Sequence, residues 1–206
     1  MNVRCRKSDA QALTAAVKAA RGVEKKWLEQ RRAAVRQRAR AEKLPVAARD
    51  LLLDEAAAEF AGRRAAGDFR GTRTLYVLPS VHTVLDELGW KQRRWRPVPR
   101  QRGGRPWGAH DEHFDARVAL YLPDELAELI TRACYWTSRP AVLALGRWYD
   151  EHGDHWRGRL HDPDARWVGA GPSHADLHQR EQLISQVVTT GQVLREALHR
   201  ALTDGG

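Results

Sequence analysis

The N-terminal part of the chain carries apolar side chains at the three- and four-residue spacing of an amphipathic helix. Ser8 or Asp9 can cap this helix, which is predicted to run to about Glu42. A second helix is predicted to begin at Pro45, because proline suits the first turn of a helix, and to end at Gly67. The pattern therefore predicts a helical N-terminal region.

Two short runs rich in β-branched and aromatic residues interrupt the helical pattern and are typical of strands. Residues 72–78 form the first predicted strand, and Ser80 can cap a short helix that continues to about Leu88. Residues 116–122 form the second predicted strand. Each strand is followed by a helix, so the pattern contains a repeated strand–helix unit.

Helical spacing returns after the second strand. One helix opens at Pro123 and runs to about Trp136, and Ser138 can cap a next helix that ends near Gly153. Ser173 can cap a final amphipathic helix. The predicted fold class is mainly α with a minor β component, with long helices and one strand–helix–helix unit.

The predicted organisation follows these patterns in order along the chain. Its segments are a basic helical region (1–66), a short strand–helix unit (67–89), a basic arm rich in Trp, Arg, Pro and Gly (90–110), a strand–helix–helix unit (111–152), a loop (153–172) and a C-terminal amphipathic helix (173–206).

Composition places the 206-residue chain among polar globular proteins, with 42% hydrophobic and 30% charged residues. The net charge of +9 suits a nucleic-acid partner, although an arginine- and alanine-rich chain is equally typical of a GC-rich coding sequence. Cys5 and Cys134 lie far apart, which argues against a disulfide framework or a cysteine zinc site. No apolar run suits a membrane span or a signal peptide, so a cytoplasmic protein without membrane association is expected.

Positive charge is most concentrated in the arm, where no carboxylate lies between Glu87 and Asp111. Proline and glycine prevent this segment from forming a helix or a central strand, so its guanidinium groups suit the nucleic-acid backbone. Its candidate DNA-binding residues are Lys91, Arg93, Arg94, Arg96, Arg100, Arg102 and Arg105.

Part of the arm, Arg102-Gly103-Gly104-Arg105-Pro106, is similar to the core of an AT-hook, with one glycine inserted. The resemblance implies an extended arm in a narrow minor groove, whose negative potential attracts arginine. Tryptophans of the arm can stack on unpaired bases or can fix the arm to the protein's own core. A solvated linker without a ligand is the remaining alternative.

In the second predicted strand, alternation places Arg117, Ala119 and Tyr121 on one face. Val118, Leu120 and Leu122 fall on the other, apolar face. A lone strand cannot satisfy its own edges, so a partner strand is required.

The segment from Arg117 to Leu126, followed by the Ser138-capped helix, resembles the ribbon-helix-helix family of DNA-binding regulators. The resemblance implies that two chains pair their strands into a ribbon that enters the major groove. It implies Arg117, Ala119 and Tyr121 as groove-facing residues, with Arg117 as the base reader. It also implies a phosphate held at the start of the second helix, at Ser138 and Arg139.

The sequence departs from that family in the connection between the helices, which is short and reads Tyr135-Trp136-Thr137 where a glycine is usual. Gly146 also lies inside the second predicted helix, where glycine is unfavourable. The alternative is an ordinary strand–helix–helix piece of an α+β core.

Two histidine pairs, His110 with His113 and His152 with His155, have a spacing that suits zinc or manganese. Neither pair carries the matched glutamate of a zinc protease helix. A metal-dependent nuclease is therefore a minor alternative, and no catalytic residue, metal ligand or cofactor is assigned.

The function predicted from sequence is a DNA-binding protein without enzymatic activity, a transcriptional or plasmid/phage maintenance regulator. Its expected partners are double-stranded DNA and a second copy of the chain. The competing interpretation is a helical oligomeric assembly protein of a mobile element that does not read sequence.

Overall fold

A computed structural model describes residues 1–99, 114–152 and 172–203, and these residues are mainly helical with a small antiparallel sheet. This confirms the predicted fold class. In chain order the elements are β1 (Asn2–Cys5), α1 (Lys7–Ala41), α2 (Val46–Ala65), α3 (Arg73–Glu87), β2 (Ala116–Ala119), α4 (Asp124–His152), α5 (His174–Ser185) and α6 (Thr190–Thr203).

The described residues form two compact units, each assembled from segments that are distant in the sequence. The first unit combines 1–84, 114–122 and 195–203, and the second combines 85–99, 123–152 and 172–194. Among the helices within these ranges, none has the length and apolar content that crossing a bilayer requires.

Helix α1 has the predicted extent, but its cap differs from the prediction. No cap comes from Ser8 or Asp9; instead the Lys7 backbone N–H donates to Asp115 Oδ1 at 2.8 Å. A carboxylate near a helix N-terminus also stabilises the helix, because it interacts with the positive end of the helix dipole. A residue beside β2 thus fixes the start of α1, a long-range contact that local sequence cannot reveal.

Helix α2 begins after Pro45, as predicted, and packs on α1 through aromatic rings. Trp27 lies 5.9 Å from Phe60 and 5.5 Å from Phe69, measured between ring centroids. Gly67 follows α2 with a φ of +87°, a left-handed conformation that glycine adopts without strain.

The strand predicted over 72–78 is wrong, because residues 73–78 belong to α3 and Thr72 precedes that helix. Val77, Val81, Val84 and Leu85 are buried, which is the spacing of one helix face rather than of a strand. The cap predicted at Ser80 is also wrong: Thr72 Oγ1 accepts the Leu75 N–H at 3.2 Å and caps the helix earlier. Pro79 lies inside α3.

The second predicted strand exists as β2 but is shorter than predicted, since it ends at Ala119 instead of Leu122. Its partner is β1 of the same chain. Val3 pairs with Val118 and Arg4 with Arg117 in an antiparallel register. Val3, Cys5, Val118 and Leu120 are buried, so one face of the ribbon belongs to the core. The partner strand that the sequence required is therefore supplied within the chain.

The two helices predicted around Ser138 are one continuous helix, α4, with Pro140 in its interior. Ser138 is 5% exposed, and its hydroxyl donates to Val188 O at 2.9 Å and accepts the Val188 N–H at 2.8 Å. Ser138 therefore ties α4 to the segment after α5 and does not start a helix.

The single C-terminal helix predicted from Ser173 is divided into α5 and α6. Ser173 caps α5 as predicted, in a reciprocal capping box with Asp176. Thr189 and Gln192 make a second reciprocal pair, which caps the start of α6. Val187, between the two helices, packs with buried residues of α4.

Candidate nucleic-acid interface

The face of the ribbon opposite the core is exposed and positively charged. The register places Arg4 directly opposite Arg117, and Asn2 directly opposite Ala119. Asn2, Arg4 and Arg117 are exposed, and Ala119 is half-buried. The predicted alternation of β2 is thus confirmed, and Asn2 and Arg4 are additional surface residues that the sequence analysis missed.

The opposition of Arg4 and Arg117 is unfavourable for the isolated protein. Directly opposite residues on one face of an antiparallel pair have Cβ atoms about 5 Å apart, and like charges there are destabilising. Neither arginine forms an ion pair within the residues described by the structure. The ribbon therefore maintains a positive charge that an external anion can compensate.

Among the described residues, no carboxylate forms an ion pair with either arginine. Asp115, two residues before Arg117, accepts the Lys7 backbone N–H at 2.8 Å. Arg195 adds a further cation, since it donates to Arg4 O at 3.4 Å while its guanidinium lies 4.0 Å from the centroid of Phe114.

An open cleft of about 650 Å³ lies beside the ribbon in the same unit. Two of the predicted reading residues, Ala119 and Tyr121, line it, and Tyr121 is 84% exposed. The other lining residues come from α1 and from the start of α3, and are Thr14, Val17, Lys18, Arg21, Thr72, Arg73 and Thr74. We call this the phosphate cleft, after the three cations among its lining residues, Lys18, Arg21 and Arg73.

The guanidinium of Arg21 is held in place at the phosphate cleft. Its Nε donates to Gly71 O at 2.7 Å, and Gly71 N in turn donates to Glu24 Oε1 at 2.5 Å. The Glu24 carboxylate lies close to the Gly71 backbone, and a Cβ at position 71 would displace it. The Gly71 carbonyl therefore orients Arg21, and Glu24 holds the Gly71 N–H.

The hydroxyl groups of the phosphate cleft differ in what they can still donate. Thr72 Oγ1 accepts the Leu75 N–H at 3.2 Å, and Thr74 Oγ1 accepts the Tyr121 N–H at 2.9 Å. Each of these oxygens accepts a backbone proton, so its own hydroxyl proton is available to a ligand. Thr14 instead donates its proton to Ala10 O at 2.8 Å.

The second half of α1 carries a stripe of cations on its exposed surface. Arg32, Arg36 and Arg40 are exposed at successive four-residue intervals, which places them on one side of the helix. None of the three is ion-paired among the described residues. Other cations of this region are paired, for example Arg31 with Glu59 at 2.8 Å.

The start of the basic arm is attached to the second unit. Trp90 is 3% exposed, Trp95 Nε1 donates to Trp90 O at 3.0 Å, and Trp136 Nε1 donates to Arg96 O at 2.8 Å. Of the alternatives for the arm's tryptophans, Trp90 and Trp95 thus make the contacts expected if they fix the arm to the protein.

The predicted DNA-binding residues of the arm have different environments. Lys91 is paired with Asp86 at 2.7 Å, and Arg93 lies over the ring of Trp95 at 5.4 Å. Arg94 and Arg96 are exposed. Arg100, Arg102 and Arg105, together with the AT-hook-like segment, lie outside the described residues.

The phosphate site predicted at Ser138 and Arg139 is wrong, because both residues lie in the interior of α4. Backbone N–H groups are unpaired only in the first turn of a helix. Arg139 Nη1 donates to Tyr135 Oη at 2.6 Å, and the guanidinium lies 5.3 Å from the ring centroid of Trp136.

Of the two histidine pairs, the structure describes only His152. His152 Nδ1 lies 2.8 Å from Trp148 O, and its Nε2 lies 3.5 Å from Asp176 Oδ2. His110, His113 and His155 lie outside the described residues. Within those residues, no three His, Cys, Asp or Glu side chains are grouped as metal ligands would be.

A strand signal for β1 is present in the sequence but short. Polar and apolar residues alternate from Asn2 to Cys5, which is the pattern of a half-buried strand.

No protein-family model, curated protein or solved structure matches the chain. The ribbon-helix-helix resemblance stays a prediction, and α4 lacks the helix break that it implies.

Proposed function

We propose that this protein binds double-stranded DNA and reads its sequence with the exposed face of the β1–β2 ribbon. The observation that supports this most strongly is the pair of opposed arginines, Arg4 and Arg117, on a solvent-exposed antiparallel ribbon. Repulsion between the two arginines destabilises the isolated protein. A bound polyanion would offset this repulsion, which favours a nucleic-acid partner.

The chemistry of the ribbon suits base recognition in the major groove. That groove is about 12 Å wide and admits a two-stranded ribbon. Arginine donates two hydrogen bonds to guanine, and asparagine pairs in the same bidentate way with adenine. Arg4, Arg117 and Asn2 are therefore the proposed base readers, each contributing about 1–3 kcal/mol of discrimination between bases.

Phosphate contacts come from cations that stand outside the ribbon. The stripe of Arg32, Arg36 and Arg40 on α1 is exposed, and in the second unit Arg94 and Arg96 are also exposed. Such contacts position a protein on DNA without carrying sequence information. In this proposal the ribbon supplies specificity and these cations supply most of the affinity.

The biological role we propose is regulation of transcription or of plasmid or phage maintenance, in the cytoplasm, because such proteins need sequence-specific binding. Dimerisation is not required to build the ribbon, since β1 and β2 belong to one chain. A homodimer remains part of the proposal as the means of binding two half-sites, and the stoichiometry of a saturated complex measures it.

The test is binding of duplexes to Arg4→Ala and Arg117→Ala, with Arg49→Ala as the matched control. Among the described residues Arg49 pairs with its neighbour Asp50 alone, at 3.3 Å, so its removal takes the same charge from α2. On a preferred sequence each ribbon variant should lose about 5- to 150-fold in affinity, and less on unrelated sequence. Equal losses in all three variants would show that only net charge matters.

A second candidate function, helical assembly, is favoured by exposed apolar side chains on the α1–α2 pair. Val23, Val46 and Leu51 are 63%, 65% and 64% exposed. Light scattering without nucleic acid measures this alternative. A large defined oligomer whose size is unchanged by DNA would favour assembly over sequence reading.

A further inference from the structure

We infer that the phosphate cleft binds the terminal phosphate of a nucleic-acid strand, with the terminal base stacked on Tyr121. This inference rests on the proposed function and deepens it, since it assigns the cleft beside the ribbon a ligand that an internal stretch of duplex does not offer. The shared chemistry is a phosphomonoester attached to a nucleoside, whichever end of the strand carries it.

The charge of the cleft selects an anion. Lys18, Arg21 and Arg73 line it, and no carboxylate is among its described lining residues. None of these three cations is ion-paired within the part of the chain described here. One guanidinium can donate two parallel hydrogen bonds to the oxygens of a phosphate, and a lysine ammonium adds a compact positive charge.

The hydrogen-bonding capacity of the cleft is donor-rich. The hydroxyl groups of Thr72 and Thr74 accept backbone protons, so each has its own proton left to donate. These donors and the three cations match a group that presents several acceptor oxygens. A phosphomonoester has three such oxygens and carries a charge of about −1.5 to −2 at pH 7.

A terminal phosphate fits this arrangement better than an internal phosphodiester. Residues of α1, of the segment that leads into α3 and of the β2 segment line the cleft. An internal diester carries one charge, and its strand must continue in both directions. A monoester can enter end-on and use the clustered cations fully.

Arg21 is oriented before a ligand arrives. Gly71 O holds its Nε, and the Glu24 carboxylate holds Gly71 N. Side chains fixed in this way lose less conformational entropy on binding. Glu24 therefore acts as a positioning residue whose effect on a ligand passes through Gly71 and Arg21.

The exposed Tyr121 indicates that the ligand carries a base as well as a phosphate. Tyr121 is 84% exposed and lines the cleft, and Thr74 Oγ1 accepts its backbone N–H at 2.9 Å. Stacking of one base on an aromatic ring contributes about 1–3 kcal/mol by alanine substitution. The cleft volume of about 650 Å³ lies within the range of small-ligand pockets.

The experiment compares oligonucleotides of one sequence that end in a 5′-phosphate, a 3′-phosphate or hydroxyl groups only. For each protein variant, the measured quantity is the ratio of the hydroxyl-ended Kd to the phosphate-ended Kd. We expect a ratio of about ten or more for at least one phosphorylated end, as charge-assisted hydrogen bonds to a phosphate would give.

Single substitutions test which side chains of the cleft cause the preference for a phosphate-ended oligonucleotide. Arg73→Gln should bring the ratio towards one, and Tyr121→Ala should weaken binding of the phosphate-ended oligonucleotide about fivefold or more. Arg49→Gln, which removes the same charge from α2, should keep the wild-type ratio. Thermal unfolding of each variant establishes that the fold is retained.

The outcomes separate this inference from the proposed function. Tight binding with a ratio near one for both phosphorylated ends would overturn the terminal-phosphate site and leave DNA binding intact. Failure of every oligonucleotide and duplex to bind would overturn both. Inorganic phosphate that competes as well as a nucleoside monophosphate would overturn the role of Tyr121.

Discussion

At the scale of single residues, the conflict between Arg4 and Arg117 links stability to binding. Replacing Arg117 with glutamate turns a repulsive cross-strand pair into an attractive one. We expect the free energy of unfolding to rise by about 0.2–1 kcal/mol, while affinity for DNA falls. Urea unfolding and a binding titration measure the two effects on the same protein. A loss of stability would show that the Arg117 side chain supports the fold.

Ser138 provides a second residue-scale prediction, because it was expected to bind phosphate and is instead buried. Its hydroxyl satisfies both the N–H and the C=O of Val188. Ser138→Ala leaves these groups without that partner, so we expect stability to fall by about 1–3 kcal/mol. Binding of DNA by the folded variant should stay at the wild-type level. A selective loss of affinity without loss of stability would restore the sequence-based assignment.

Residue-level prediction from sequence worked where it depended on alternation alone. Arg117 and Tyr121 are exposed while Val118, Leu120 and Leu122 are buried. The sequence pattern did not indicate Arg4 as a surface residue of the ribbon. Arg4 lies opposite Arg117 because two strands that are distant in the sequence pair with each other. Local pattern gives the face of a side chain but not its cross-strand neighbour.

At the scale of elements, the boundaries of α1 and α2 were predictable because both carry long patterns. The errors at α3 and α4 have a common cause. Ser80 and Ser138 were interpreted as helix caps, yet Ser80 lies inside α3 and Ser138 inside α4. Burial of one face, as with Val77 and Val81 in α3, outweighs the local preference for a break.

The capping box of α5 gives a pH prediction at this scale. Hydrogen bonds from the hydroxyl and backbone N–H of Ser173 hold the pKa of Asp176 below its ordinary value, with a smaller contribution from His152. A lowered pKa means that the folded state favours the carboxylate, so its stabilisation is present above the ordinary pKa of 3.8. It is lost as pH falls through the lower, folded-state value.

Acid unfolding of wild type and Ser173→Ala measures this effect. The variant should be less stable at neutral pH by about 1 kcal/mol, as expected for loss of an N-cap. Its stability should also depend less on pH in the acid range. Parallel curves for the two proteins would contradict the assigned role of Ser173.

At the scale of the whole molecule, the net charge of +9 predicts a strong dependence of binding on salt. If about six phosphates are neutralised, affinity should fall about 10³-fold between about 50 and 200 mM salt. Titrations at several salt concentrations give the slope. A flat dependence would mean that phosphate contacts are few and that charge composition misled the interpretation.

Sequence-based prediction reaches the fold class but not the spatial organisation of the molecule. The unit that carries the ribbon and the phosphate cleft joins 1–84, 114–122 and 195–203. Within it, Asp115 starts α1 and Gly71 orients Arg21, contacts that no linear pattern contains. The cleft could not be predicted for the same reason, although Ala119 and Tyr121 were singled out for the ribbon face.

The measurement that tests the ribbon proposal most directly is selection of bound sequences from random duplexes at near-physiological salt, with wild type, Arg4→Ala and Arg117→Ala in parallel. The proposal predicts a motif from wild type that contains guanines, and relaxed preference at specific guanine positions for each variant. Recovery of no motif, or of the same motif from all three proteins, would contradict reading of DNA by the ribbon.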